Sequence, residues 1–153
     1  MRTVLLLSLA AILGIFGGCA DRSSPEAEAV AVKASKAWLT LIDAQAYEAG
    51  WDAAAAFFQG AVTKAQWVQT LTATRKPLGA KISRKLKSAT FHTSMEGAPD
   101  GQYVVVRFTT EFANKPKVYE TVTQMKGQDG YWRVAGYHLK PGSSHWLQEL
   151  MDK

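Results

Sequence analysis

In the first half of the chain, apolar residues recur every three to four positions, a spacing that predicts helices packed on one side of a core. Ser24 and Pro25 form a typical helix start, so a first helix is expected from Pro25 to about Tyr47. Its apolar stripe consists of Ala31, Ala34, Trp38, Leu41 and Ile42. A shorter second helix is expected from Trp51 to Phe58, between two glycines.

A third helix is expected after Thr63, because Thr63 and Gln66 have the spacing of a capping box, in which each side chain accepts a hydrogen bond from the other residue's backbone N–H. Pro77-Leu78-Gly79 should end this helix. Beyond Gly79 the apolar period changes to two, which is typical of strands. We therefore expect an α+β fold, with three N-terminal helices packed on a curved, four-stranded antiparallel sheet.

The expected strands cover residues 81–93, 102–113, 117–126 and 131–139. In the first strand the apolar residues change parity, which predicts a bulge near Lys87 and Ser88. Asp129-Gly130 predicts a two-residue hairpin turn between the last two strands. Lys115-Pro116 is placed at the centre of the preceding turn.

These two turns fix a register, and the register decides which face of the sheet each side chain takes. The more apolar face, which carries Val104, Val106 and Phe108, is the one we expect the helices to cover. Trp38, Trp67 and Trp132 lie on the inward stripes of the first helix, the third helix and the last strand, so we expect all three to be core residues. Convergent polar groups on this face define a candidate ligand-binding set: Thr110, Thr121, His138, Tyr119 and Arg84. Apolar walls with a few polar groups are typical of a small-ligand pocket. The alternative is a filled core in which the threonine hydroxyls bond the imidazole.

The predicted outer face carries Glu111 and Glu120 opposite one another. No acid–base pair emerges from this arrangement, so no catalytic residue is assigned. An enzyme would need a buried carboxylate, or a histidine with a shifted pKa, on the inner face of the sheet. Asp43, at the end of the first helix, is expected to be a structural hydrogen-bonding partner for the next turn.

Residues 141–153 are predicted to form a C-terminal amphipathic tail with a short helix. Its narrow apolar stripe consists of Trp146, Leu147, Leu150 and Met151. We expect the tail to cover an apolar outer face around Val122, Tyr137 and Leu139. The alternative is a homodimer formed through that same face.

The N-terminus has the pattern of a secretory signal. Arg2 precedes an almost wholly apolar run over residues 4–16, and Gly17-Gly18-Cys19 follows. The run is shorter than the roughly 20 residues that span a bilayer. The ending resembles a bacterial lipobox, in which the cysteine is diacylated and the chain is cut just before it. Ordinary signal cleavage after Ala20 is the alternative.

Composition narrows the classes of partner. The chain has 18 basic and 13 acidic residues, and its single cysteine excludes an internal disulfide. Basic residues concentrate between Arg75 and Lys87, which suits anionic lipid headgroups or an acidic partner; the alternative is a solvated strand and turn. Nucleic acid is not an expected partner outside the cytoplasm. The three histidines lack metal-ligand spacing, so neither a metal nor a cofactor is predicted.

An ordered series of aromatic and charged residues runs from about residue 30 to residue 140. It comprises Trp38, Ile42, Asp43, Tyr47, Trp51, Phe58, Trp67, Leu71, Arg75-x-Pro77-Leu78-Gly79, Arg84, Phe108-x-Thr110-x-Phe112, Glu120-x-Val122 and Trp132-Arg133-Val134-x-Gly136-Tyr137. This series closely resembles the bacterial family called domain of unknown function 4019. The resemblance implies a secreted or lipid-anchored envelope protein without an assigned activity. The element order is also similar to the cone-shaped folds of nuclear transport factor 2 and the cystatins, which host many functions.

The organisation expected from the sequence is a lipoprotein signal peptide (1–18), a tether (19–24), a cone-type α+β domain (25–140) and the tail (141–153). The expected function is that of a lipid-anchored envelope protein, placed in the outer membrane and facing the periplasm. It would act without catalysis and bind an envelope component or a small ligand. The alternatives are an enzyme that uses the cavity enclosed by the cone-shaped fold, and a purely structural dimerisation module.

Overall fold

Helices precede strands in residues 24–142, the part of the chain that the computed structural model describes. The helices are α1 (Pro25–Asp43), α2 (Tyr47–Asp52), α3 (Ala56–Ala61) and α4 (Lys64–Arg75), and a 3-10 turn over Lys76–Leu78 follows. The strands are β1 (Lys81–His92), β2 (Tyr103–Phe112), β3 (Lys115–Lys126) and β4 (Trp132–Pro141), in the order β1-β2-β3-β4 within one antiparallel sheet. The α+β class is confirmed. The predicted signal peptide, Cys19 and the predicted apolar stripe of the tail lie outside the described residues.

The helical region differs from the prediction in its boundaries. Helix α1 ends at Asp43, and Gln45 adopts a positive φ of 60°. The backbone N–H groups of Gln45 and Ala46 bond back to the carbonyl oxygens of Ile42 and Leu41, which is a Schellman ending with glutamine in the place of the usual glycine. The predicted extension of this helix to Tyr47 was therefore wrong.

The predicted helix over residues 51–58 was also wrong, because two short helices flank a break over residues 53–55. At the break, the Ala55 backbone N–H donates to the Val134 carbonyl oxygen of β4 at 2.8 Å. The capping box ahead of α4 is confirmed. The Thr63 N–H donates to Gln66 Oε1 at 3.0 Å, and the Gln66 N–H donates to Thr63 Oγ1 at 3.3 Å.

The pairing of β1 with β2 contains the predicted bulge, since the register shifts between Leu86 and Ser88. The predicted register between β2 and β3 was wrong by three residues, because Thr110 pairs with Val118 rather than with Thr121. The hairpin turns at Ala113-Asn114, and β3 already begins at Lys115. An odd shift moves every side chain of β3 to the opposite face.

The inner face of β3, against the helices, therefore carries Val118, Glu120, Val122 and Gln124, all of which are buried. The predicted outer position of Glu120 was wrong. Tyr137 and Leu139 pair with Val122 and Glu120 and share that inner face, so they do not form the outer apolar patch expected to receive the tail.

The β3–β4 connection is longer than predicted. Lys126 pairs with Trp132, so residues 127–131 form the loop in place of a two-residue turn at Asp129-Gly130. An irregularity between Thr123 and Gln124 then restores the expected pairing of Thr121 with His138. That pair lies on the outer face, away from the helices.

Helix α1 crosses all four strands and supplies the centre of the core. Trp38 and Trp67 are buried, as predicted, and their indole N–H groups donate to the carbonyl oxygens of Gly50 at 2.8 Å and Tyr47 at 3.0 Å. Both rings contact the Tyr137 ring, with centroids 5.3 and 6.2 Å away. Trp132 is only partly buried against this core, which is less than predicted.

Candidate functional site

One end of the inner face holds four charged side chains, here called the ion cluster: Asp43, Arg75, Arg84 and Glu120. They come from four different elements. Asp43 and Arg75 are the last residues of α1 and α4, while Arg84 and Glu120 lie within β1 and β3. The formal charges of the two carboxylates and two guanidinium groups cancel.

Each guanidinium group of the ion cluster bridges both carboxylates. Arg75 Nη2 lies 2.6 Å from Asp43 Oδ1, and its Nη1 lies 3.1 Å from Glu120 Oε1. Arg84 contacts Asp43 through two nitrogens, at 2.7 and 2.9 Å, and its Nε lies 2.6 Å from Glu120 Oε2. This bidentate geometry is the strong form of the arginine–carboxylate pair.

Glu120 is fully buried and has four hydrogen-bond donors. Besides the two arginines, the Thr110 hydroxyl donates to Oε2, and the Tyr137 hydroxyl donates to Oε1 at 2.5 Å. A carboxylate offers about four lone-pair sites, so these donors occupy all of them. In this arrangement Glu120 has neither a free lone pair nor the access to substrate that a general base needs.

The electrostatics keep the ion cluster charged. Burial alone would raise the pKa of the Asp43 carboxyl, but the hydrogen bonds and positive charges of Arg84 and Arg75 outweigh it and hold this pKa below its usual value. Burial alone would lower the pKa of Arg84, but its hydrogen bonds to Asp43 and Glu120 and their negative charges outweigh burial and raise this pKa. Burial, with the nearby Glu120 carboxylate, raises the pKa of Tyr137 well above its usual value, so its hydroxyl remains a donor.

A second feature of the inner face is an open cleft of about 340 Å³ between α1 and β4, here called the inner-face cleft. Its lining is Ala34, Ala37, Trp38, Leu41, Ala53, Gln124, Trp132, Arg133 and Val134. Most of these residues are apolar, and small alanine side chains on α1 leave the space. The lining contains one positive charge, Arg133, which is already paired with Asp129 at 2.7 Å.

Gln124 is the polar residue of this cleft that the fold buries completely. Its Nε2 donates to Ser35 Oγ of α1 at 2.9 Å. Its Oε1 is the only buried side-chain polar atom without a hydrogen-bond partner among residues 24–142. Buried polar groups normally have partners, so this exception calls for an explanation.

The structure does not bring the residues of the candidate ligand-binding set together on one face of the sheet. The structure brings Thr110 and Arg84 together, but in the ion cluster, where both contact Glu120. Thr121 and His138 lie on the outer face, and Tyr119 is 38% exposed there. The prediction of this set followed from the wrong register between β2 and β3. The ion cluster lies on the inner face where the set was expected.

Sequence reasoning missed Glu120 and Tyr137 as members of the inner face, and it gave Asp43 a local role only. A signal was present, since Val118 and Val122 flank Glu120 at two-residue spacing and are more apolar than the alternate set of Tyr119 and Thr121. The alternation of apolar residues in β3 thus indicated that the face with Val118, Glu120 and Val122 is the inner one. The turn assumed at Lys115-Pro116 indicated the opposite face.

Within residues 24–142, no group of three or more His, Cys, Asp or Glu side chains is placed to hold a metal ion. In the same range, no helix is both long and apolar enough to cross a membrane.

Comparison with known proteins identifies a family. The family model described as "Protein of unknown function (DUF4019)" matches residues 34–137, which is more than half of the chain. This match includes all four residues of the ion cluster and the lining of the inner-face cleft. No curated protein and no solved structure matches the chain.

Proposed function

The chain belongs to the DUF4019 family of proteins of unknown function, and we propose that it is a lipid-anchored, non-enzymatic binding domain of the bacterial cell envelope. We propose that it takes a small ligand in the inner-face cleft. The observation that carries this proposal is the contrast between the two ends of the inner face. The polar end is closed and internally satisfied, whereas the apolar end is open.

The ion cluster favours a structural role. Its charges cancel, its carboxylates face arginines, and Glu120 has no exposed surface. Such a network joins the ends of two helices to the sheet and leaves no unpaired acid or base for chemistry. The inner-face cleft has the complementary character, because apolar walls with one buried amide are typical of small-molecule sites.

Dye binding to residues 19–153 with Cys19→Ser, the chain expected after removal of the signal peptide, tests the cleft without detergent. An apolar fluorescent dye should bind this protein, and Ala34→Leu, which fills the cleft from α1, should weaken binding by about tenfold or more. Ala65→Leu on the exposed side of α4 is the matched control and should leave binding unchanged. Equal binding by the two variants would contradict the proposed site.

The lipid anchor is proposed from the sequence alone, since Cys19 lies outside the described residues. Two acyl chains would hold the protein at the membrane, at about 0.8 kcal/mol for each buried methylene. The Cys19→Ser protein should lose acyl labelling. Its recovery in the membrane fraction with label still attached would contradict the anchor. Ala20 in place of an aspartate resembles the sequence that directs such proteins to the outer membrane facing the periplasm.

An enzyme is the competing function, because Glu120 is a buried carboxylate on the inner face. The cavity nearest to the ion cluster, of about 190 Å³, is lined by Asp43 and Arg75 but not by Glu120. Access of solvent to Glu120 would distinguish the two functions. Slow reaction of this carboxyl with a water-soluble carbodiimide is expected, whereas rapid labelling would favour the enzyme.

We also propose that the tail beyond Gly142 forms an amphipathic helix that packs back on the domain, as its apolar stripe suggests. A homodimer is the competing arrangement. Truncation after Gly142, which leaves β4 and the bond from the Gly142 N–H to the Lys117 carbonyl oxygen intact, separates the two. A covering tail predicts dimerisation or aggregation of the truncated chain in sedimentation. A monomer as stable as the full chain would contradict the cover.

A further inference from the structure

We infer that the ligand of the inner-face cleft is a neutral, largely apolar molecule with one hydrogen-bond donor, which it gives to Gln124 Oε1. This inference rests on the proposed function, since it assumes that the cleft is a binding site. It goes further by naming the recognising atom and the chemical class of the ligand.

The unpartnered amide oxygen carries the inference. Gln124 lines the cleft, but neighbouring atoms cover it, so a ligand reaches its amide only by displacing them. Ser35 holds the amide in place through the Nε2–Oγ bond of 2.9 Å. The other half of the same amide, Oε1, has no partner among the described residues. Burial of an acceptor without a donor costs free energy, and a ligand that brings the donor removes that cost.

The rest of the lining defines the body of the ligand. Trp38 and Trp132 provide aromatic surface, and three alanines provide the space. Among the lining residues there is no carboxylate to bind a cation, and the Arg133 guanidinium is occupied by both oxygens of Asp129, at 2.9 and 2.7 Å. A charged ligand would therefore lose its hydration without an unpaired counter-charge in the cleft.

The size of the cleft fits a compact ring system. A volume of about 340 Å³ lies at the lower end of the range for small-molecule pockets. A flat bicyclic molecule with one N–H or O–H group would place its face against the tryptophans and its donor on Gln124. Indole has this form, and 1-methylindole has the same body without the donor.

Calorimetric titration of residues 19–153, carrying Cys19→Ser, with these two probes tests the inference. Indole should bind about tenfold more tightly than 1-methylindole, as expected for one hydrogen bond to a buried acceptor. Gln124→Met should bring the ratio of the two affinities close to one. Gln69→Met, on the exposed side of α4, should leave the ratio unchanged.

Each result bears on the inference without depending on one variant. If Gln124→Met does not fold, the ratio of the indole and 1-methylindole affinities measured with Gln124 in place still tests the inference. Equal binding of both probes, as expected if a water molecule satisfies Oε1, overturns the inference and leaves the cleft as an apolar site. If neither probe binds although the dye binds and Ala34→Leu weakens its binding, the inferred ligand class is wrong, and the proposed binding function of the cleft stands. If the dye also fails, the proposed function falls with it.

Discussion

At the scale of single residues, Glu120 illustrates how a buried charge is tolerated in this fold. Two arginines and two hydroxyl groups surround its carboxylate, so the cost of removing it from water is offset by charge-assisted hydrogen bonds. Loss of any one member leaves its partners buried with only one opposite charge instead of two. The ion cluster therefore behaves as one unit. The changes in the free energy of unfolding caused by substituting its members one at a time should not add up to the change for the combined substitution.

Glu120→Gln should destabilise the protein by about 3–5 kcal/mol, because it leaves two buried guanidinium groups with a single carboxylate. Urea denaturation at neutral pH gives this free energy of unfolding. Glu111→Gln is the matched control. Glu111 is exposed and accepts a hydrogen bond from Ser83, so its change should stay within about 0.5 kcal/mol. Similar losses for both variants would contradict the assigned burial.

Asp43 should make the protein sensitive to acid. Its pKa is lower in the folded chain than the value of about 3.9 in an unfolded chain, so its ionised form stabilises the fold. This contribution is complete above the unfolded pKa and is lost as the pH falls through the folded pKa. The stability difference between the native protein and Asp43→Asn should therefore shrink below about pH 4. Urea midpoints measured across this range give the difference, and a constant value would contradict the lowered pKa.

At the scale of elements, the segment between α4 and β1 decides where the β2–β3 hairpin turns. The Asn114 backbone N–H donates to the Leu78 carbonyl oxygen, and the Ala113 N–H donates to the Ala80 carbonyl oxygen, both at 2.9 Å. These bonds dock the turn on the end of the helical region. Gly79 lies between the two acceptors with a φ of 77°.

Gly79→Ala should therefore cost more stability than Gly130→Ala. Both glycines have a positive φ, which is unfavourable for an L-residue, and Gly79 combines it with a ψ of −165°, a region essentially restricted to glycine. A Cβ at Gly79 would also lie 3.1 Å from Ala113 Cβ and from Asn114 Nδ2, whereas no atom lies within 4 Å of one at Gly130. The difference between the two free energies of unfolding measures the backbone strain and the docking contact at Gly79 together. Equal losses of stability for the two variants would show that the turn moves to accommodate the added Cβ at no cost, and would contradict this prediction.

At the scale of the whole molecule, long-range contacts bind the helices and the sheet into one structure. Arg75 and Glu120 lie 45 positions apart in the chain, and Ser35 and Gln124 lie 89 apart. With a single cysteine, the chain has no internal disulfide to strengthen these contacts. The core and the ion cluster must hold the helices and the sheet together.

Unfolding should therefore be a single cooperative transition. Tryptophan fluorescence reports mainly on the helical side through Trp38, Trp51 and Trp67, while far-ultraviolet circular dichroism reports on the whole backbone. The two transitions in urea should coincide. Thr63→Ala, which removes the cap of α4, should shift both midpoints together at a cost of about 1 kcal/mol. Separate transitions would contradict a single cooperative unit.

Local chemistry was readable from the sequence. Helical periodicity, the Thr63–Gln66 capping box and the parity change near Ser88 each depend on residues close together in the chain, and each is confirmed. The family was recognisable for the same reason, because an ordered series of residues needs no knowledge of their contacts. The α+β class followed from the change of period after Gly79.

The faces of β3 and the composition of the candidate site were decided only by the tertiary structure. The hairpin turns at Ala113-Asn114 because the segment around Gly79 docks there, a contact that no local pattern encodes. This moved the register by three residues, and an odd shift exchanges the two faces of a strand. Glu120 thereby came inside to meet Arg75 and Arg84, and Gln124 came to the cleft. Sequence periodicity determines which residues alternate, but only long-range packing determines which alternate set faces the core.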